Sequence, residues 1–239
     1  MSVGARDFPF YQGRPARVSA GGWLLVLAGC AAGFLALSFL PHLIPGLLGR
    51  WLSILLFLGL PLCALATAAD GQWAAIFHRP TRKDLLIGLA VAPLTLLTSA
   101  IVGLLVMHVS ITAANPAVAL LRGLNGLDVA VFLAGTAPQL LGEEIITLLP
   151  FLALLAVLAR LGSARVLAVA AAGVATALLF GALHLPTYGW HVAQALLIIG
   201  AARLVLTGAY ILTKNVWASF IAHLIHDWTL FAIVLALGA

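Results

Sequence analysis

Apolar stretches of about 20 residues follow one another along this chain, separated by short clusters of proline, glycine and charge. A hydrocarbon core of about 30 Å demands that length of a spanning helix. Backbone amides cannot stay unpaired in lipid, so such stretches are either helices or strands of a closed barrel. The alternating apolar and polar dyads of barrel strands are missing. The sequence therefore predicts an all-α fold, a polytopic transmembrane helical bundle of about seven to eight helices. Spans are expected at 21–40, 50–69, 85–108, 128–149, 166–185, 190–212 and 217–238, with a shorter apolar piece at 151–160. Pro41, Pro45, Asp70, Pro80, Pro116, Gly123, Gly126, Pro186 and Lys214 mark the boundaries. Residues 109–127 form the longest polar-leaning connection.

Only 8% of the residues are charged, against about a quarter in soluble domains, which excludes a soluble globular class. The formal charge of +5 comes from arginines in the connections, without the basic stripe and interleaved aromatics of a nucleic-acid surface. A lipid bilayer, and no nucleic acid, is the expected partner. Arg6, Arg14 and Arg17, the loop with Arg79, Arg82 and Lys83, and the turn with Arg160 and Arg165 should share one side, the cytoplasmic one. Residues 1–20 read as a cytoplasmic N-terminal tail and 21–239 as one transmembrane domain, without internal repeat. No cleavage site is evident after the first apolar run, so it reads as a retained helix. Cys30 and Cys63 lack metal-type spacing and read as small core residues. Usage rich in Ala, Leu and Arg and poor in Lys suggests a bacterial inner membrane.

Chemistry concentrates in a few ionisable residues at membrane depth. Asp7, Asp70, Asp84 and Asp128 fall in the tail, in loops or at helix ends, whereas Glu143, Glu144 and Asp227 do not. An ionised side chain there costs about 2.5–3.5 kcal/mol on insertion scales, so it is expected to face a polar cavity and act in it. His184, His223 and His226 accompany the acids. Phe180 and His184 are four apart and share a helix face, as do His223 and Asp227, while His226 is three from His223. Adjacent Glu143 and Glu144 point about 100° apart around a helix, so they take different roles. One faces the cavity and the other needs its own partner.

The ordered set Glu143-Glu144, Phe180-Gly-Ala-Leu-His184 and His223-Leu-Ile-His-Asp227 resembles the CPBP family of intramembrane glutamic endopeptidases. This family, also called ABI, includes the type II CAAX prenyl proteases and bacterial bacteriocin-processing relatives. The stretch from Tyr210 to His223 is similar to the family's approach to its last motif, and the protease-like core covers about residues 128–238. The resemblance implies that Glu143 and His184 activate a water that attacks a peptide bond, while His223 and Asp227 stabilise the oxyanion. It implies a polypeptide substrate and no metal or other cofactor, and the apolar setting implies that this substrate is itself membrane-associated. Phe180, Glu144 and His226 would be supporting residues.

Two departures from the family pattern create further expectations. The family has an arginine four residues after its second glutamate, where this chain has Leu148. Arg203, near the middle of the 190–212 span, is expected to pair with Glu144 instead. Position 227 is Asn in many relatives, and Asp227 is expected to orient His223 by accepting its second ring proton. HExxH, GxSG-like and GxGD signatures are absent, which disfavours other intramembrane protease types. A metal on Glu143, His184 and His223 is the second enzymatic reading. A catalytically inactive relative with a binding or immunity role and a proton-coupled transporter are the alternatives outside catalysis. Helix rise leaves one tension: Glu143 and His223 lie about 10 Å from the charged side, while His184 falls nearer the opposite side. A tilted or protruding 166–185 helix, or a re-entrant 151–160 piece, would repair it.

Overall fold

The computed structural model describes residues 6–237. The expected segment ends at residues 1–5 and 238–239 lie outside the described residues. Among the described residues the fold is all-helical, with eight α-helices and no strand. These are α1 (Ala20–Leu43), α2 (Leu47–Ala68), α3 (Arg82–Val109), α4 (Pro116–Arg122), α5 (Gly126–Arg160), α6 (Arg165–Leu183), α7 (Gly200–Thr213) and α8 (Val216–Ala236). A π-helical stretch, Gln194–Ile199, leads into α7 and completes its span. Seven of the helices are long and apolar enough to cross a membrane, which fits an integral membrane protein. Leu24, Leu35, Leu48, Leu104 and Leu105 are exposed on the outer surface, where lipid rather than water would cover them.

Helix starts follow local chemistry. Ser19 accepts from the Gly22 amide at 3.0 Å, and Thr81 and Asp84 form a reciprocal capping box at α3. Asn125 and Asn215 cap α5 and α8. Because lipid is as apolar as leucine, helices associate through close packing. Gly29 and Gly33 provide it between α1 and α2: a Cβ at either would stand 3.0 Å from a carbonyl oxygen of α2. Cys30 is buried in the same helix, but Cys63 is exposed, so only one of the two cysteines is a core residue.

Two expected boundaries are corrected. The apolar piece 151–160 is not a separate element, because α5 runs unbroken for 35 residues through Pro138 and Pro150. A proline removes one intrahelical bond, which neighbouring packing tolerates in membrane helices. In the 109–127 connection, Asn115 caps the short α4, which starts at Pro116. The unbroken α5 also relieves the depth conflict. Glu143 lies about 26 Å along α5 from Arg160, and His184 about 29 Å from Arg165 along the axis of α6. Both reach the same level.

The positive segments gather at one end of the bundle, and the N-terminal segment closes it. Arg6 reaches both carboxylate oxygens of Asp84 at 2.9 and 2.8 Å, Arg165 pairs with Asp7, and Arg160 donates to the Val18 carbonyl at 2.7 Å. Phe8 and Phe10 are buried, with the Phe8 ring 5.6 Å from Phe151 and 6.0 Å from Tyr210. Residues 6–18 therefore pack as part of the bundle instead of trailing from it. They cover the α7–α8 turn, whose Asn215 is fully buried and donates to Asp84 at 3.1 Å. A sunken start for α8 brings His223, only about 11 Å along that helix, to the level of Glu144.

Candidate active site

A cavity of about 470 Å³ opens among α2, α3, α4, α5, α6, α7 and α8. Glu143, Phe180, His184, Arg203, His223, His226 and Asp227 all line it. Helix α5 presents Phe132, Thr136, Gln139, Leu140 and Glu143 along one stripe, at the three- and four-residue spacing of a helix face. Glu144, one position on, turns away and is almost fully buried.

Glu144 meets its partner across the bundle. The Arg203 guanidinium forks onto it, with Nη1 to Oε1 at 2.6 Å and Nη2 to Oε2 at 2.9 Å. Both side chains are 2% exposed. A buried carboxylate tolerates such a place only with a matched cation, and a bidentate fork provides the geometry. Arg203 thus stands where the missing arginine at Leu148 would have been needed, and Leu148 borders the same small void as Glu144 and Arg203. The guanidinium also sits 5.3 Å from the centre of the Phe180 ring, a cation–π contact.

Hydrogen bonds assign the imidazoles. His184 Nδ1 lies 2.8 Å from the Phe180 carbonyl oxygen. A carbonyl can only accept, so Nδ1 carries the proton and Nε2 is the atom left for the cavity. The Phe180 ring packs against His184 with ring centres 4.5 Å apart and planes tilted by 49°. His223 Nδ1 donates to Glu144 Oε1 at 2.8 Å. Its Nε2 then faces Glu143 Oε2 and Asp227 Oδ1, each 3.8 Å away and beyond hydrogen-bond length.

The orienting role expected of Asp227 is corrected by this geometry. Glu144 holds the second ring proton of His223, and Asp227 instead accepts from His226 Nδ1 at 2.7 Å. Glu144 reaches His223 across helices because Arg203 pins it; Asp227, one residue after His226, finds that ring first. His226 Nε2 continues to Ser99 Oγ on α3 at 3.3 Å. Glu143 and His184 share the cavity wall without an ion pair or hydrogen bond between them. Glu143 is 13% exposed, and its neighbour is Gln139 Nε2, 3.3 Å from Oε1.

Sequence reasoning missed Gln139, Ser99 and Gln194. Gln139 is four residues before Glu143, a spacing that could have revealed it. Gln194 binds both the amide and the carbonyl of Ala113, at 2.7 and 2.8 Å, and ties the α3–α4 connection over the cavity. No signal along the chain links those distant positions. Trp228 Nε1 donates to Thr136 Oγ1 at 3.0 Å. Among the described residues no three His, Cys, Asp or Glu side chains are arranged to hold a metal ion.

Comparison with curated proteins found no match, and comparison with solved structures found none. The family model described as type II CAAX prenyl endopeptidase Rce1-like matches residues 125–229, from the cap of α5 into α8. All three motifs lie inside that stretch, over which the chain is similar to this family.

Proposed function

We propose that this protein is an intramembrane endopeptidase in which Glu143 and His184 activate water against a peptide bond of a membrane-associated polypeptide. The observation that carries the reading is the division of labour between two adjacent carboxylates. Glu144 is neutralised by Arg203 and His223, while the Glu143 carboxylate faces the cavity with Gln139 as its hydrogen-bond partner and His223 Nε2 3.8 Å away. The family match adds that related chains are described as endopeptidases. The departure at Leu148, which favoured an inactive binding relative, is met by Arg203.

Catalysis would run as follows in terms of bonds. A water held between Glu143 and His184 Nε2 gives a proton to Glu143 as its oxygen attacks the carbonyl carbon. The tetrahedral oxyanion forms beside the Nε2 edge of His223, whose ring is fixed by Glu144. Flanked by Glu144, Glu143 and Asp227, His223 acts as the imidazolium with both nitrogens protonated, and its Nε2–H donates to the oxyanion. The carbon–nitrogen bond then breaks, and the proton held by Glu143 passes to the departing amine. Asp227 would act by placing its carboxylate, through His226 and Ser99, at the edge of this site. The reading includes an N-terminus on the cytoplasmic side of a bacterial inner membrane, motivated by the clustered arginines.

Glu143→Gln is expected to lower cleavage of a fluorogenic apolar peptide pool in proteoliposomes by at least about 100-fold, the lower range for a general base. Its thermal unfolding should match the wild type. Retained cleavage in Glu143→Gln would overturn the assignment. Chelators should leave the wild-type rate unchanged; a loss restored by zinc would transfer the mechanism to a metal.

A further inference from the structure

One hydroxyl on the cavity wall is aimed differently from its neighbours. On α3, Thr95 and Thr98 turn their hydroxyls back onto their own helix, donating to the Val91 and Leu94 carbonyls at 2.9 and 2.8 Å. Hydroxyl side chains inside a helix ordinarily do this. Ser99 makes no such bond among the described residues; its Oγ lies 3.3 Å from His226 Nε2, reaching from α3 to α8. Ser99 is about 26 Å along α3 from Arg82, the same depth as Glu143 along α5, and it lines the same cavity.

The other nitrogen of His226 fixes the roles along this row. Nδ1 is 2.7 Å from Asp227 Oδ1, and a carboxylate only accepts, so Nδ1 carries a proton. On the neutral ring Nε2 is then the bare nitrogen, and the Ser99 hydroxyl donates to it. Hydroxyl, imidazole and carboxylate follow one another in the order that makes a serine nucleophilic: the carboxylate sets the tautomer, and the imidazole takes the hydroxyl proton. A separation of 3.3 Å is at the loose end of what such pairs show before a substrate tightens them. His226 is three residues from His223, so the two rings leave α8 about 60° apart. One ring bonds to Glu144 on α5 and the other to Ser99 on α3. Leu140, Leu206, Leu230 and Phe231 also face the cavity, a wall suited to a hydrocarbon chain. An ester matches a single imidazole acid better than an amide does, because an alcohol leaves the tetrahedral intermediate more easily than an amine.

We propose that Ser99, His226 and Asp227 form a second reactive centre in this cavity, a serine nucleophile that takes the acyl group of a carboxylic ester with an apolar acyl chain. Ser99 Oγ joins the carbonyl carbon while its proton moves to His226 Nε2. The carbon–oxygen bond of the ester then breaks, and that proton leaves with the alcohol. Water attacks the acyl-serine next, giving a proton to His226, which returns it to Ser99 Oγ as the carboxylic acid departs. The centre shares the cavity and Asp227 with the endopeptidase reading but uses neither Glu143 nor His184.

Protein in phosphatidylcholine nanodiscs is treated with an alkyl fluorophosphonate carrying a fluorophore and, separately, with p-nitrophenyl octanoate. Mass spectrometry of the digested protein should find the phosphonyl adduct on Ser99. Ser99→Ala should lower both labelling and ester hydrolysis at least about 100-fold, and His226→Gln, which keeps the serine and removes its base, should do the same. Ser99→Cys restores a nucleophile at the same place and should recover ester hydrolysis, so a loss caused by misfolding alone is told apart. A serine that merely ties α3 to α8 would shift the melting temperature of Ser99→Ala and carry no adduct in the wild type. Absence of the adduct, or labelling unchanged by His226→Gln, would overturn the proposal. Ester turnover at Ser99 without any peptide cleavage would overturn the endopeptidase reading alone. Glu143-dependent peptide cleavage without an adduct at Ser99 would overturn this proposal alone.

Discussion

Arg203→Leu isolates the interaction that most distinguishes this site. The substitution removes both hydrogen bonds of the fork and leaves the Glu144 carboxylate, 2% exposed, with only His223 for a partner. Breaking a buried ion pair from one side costs about 3–5 kcal/mol, because the remaining charge keeps its desolvation penalty. At about 2–4 °C per kcal/mol for a chain of this size, the melting temperature should fall by roughly 10 °C. Tryptophan fluorescence during heating in detergent reads the loss directly. Pairing Arg203→Leu with Glu144→Gln tests the cause, since a neutral amide at 144 still accepts from His223 but no longer needs a cation. The double variant should recover a substantial part of the deficit, on the order of 1–3 kcal/mol of coupling. Leu148→Arg in the Arg203→Leu background should recover it as well, by returning a cation to the same helix face four residues on. If Arg203→Leu melts like the wild type, or if the two substitutions add without coupling, the reasoning from a buried mutual pair is wrong.

Asp227→Asn keeps an oxygen that can accept from His226 Nδ1, so cleavage should persist at a reduced rate; abolished cleavage would mean the charge at 227 is itself required. Gly181→Ala should destabilise by about 1–3 kcal/mol and displace His184, since its Cβ would stand 2.4 Å from the Ala195 carbonyl oxygen, and an unchanged melt would refute that contact. At the closed end of the bundle, the Arg165 hydrogen bond holds the Asp7 carboxyl below its ordinary value of 3.8. The contribution of that pair should be complete above about pH 4 and fade as pH falls through the lowered value, seen as faster hydrogen exchange around residues 8–18; Asp7→Asn should remove the dependence.

Much of this architecture was legible along the chain. Run length identified seven spans, because a bilayer imposes one thickness on every crossing helix. Four-residue spacing put Phe180 with His184 and His223 with Asp227 on common faces. The two adjacent glutamates had to diverge, and in the cavity they do. The span length misled at one point: 151–160 read as a separate short piece after a span ending at 149, whereas α5 continues unbroken from Gly126 to Arg160, supported by the helices around it.

The sequence alone determined the kind of molecule and the cast of ionisable residues, because apolar length and helical periodicity are properties of consecutive residues. Only the tertiary structure decided who pairs with whom. Arg203 takes Glu144, Glu144 takes His223, and His226 takes Asp227. Those choices depend on how far each helix rotates, tilts and sinks against its neighbours. Close contacts such as Gly33 on α2 and the buried α7–α8 turn set those displacements, and residue spacing does not encode them.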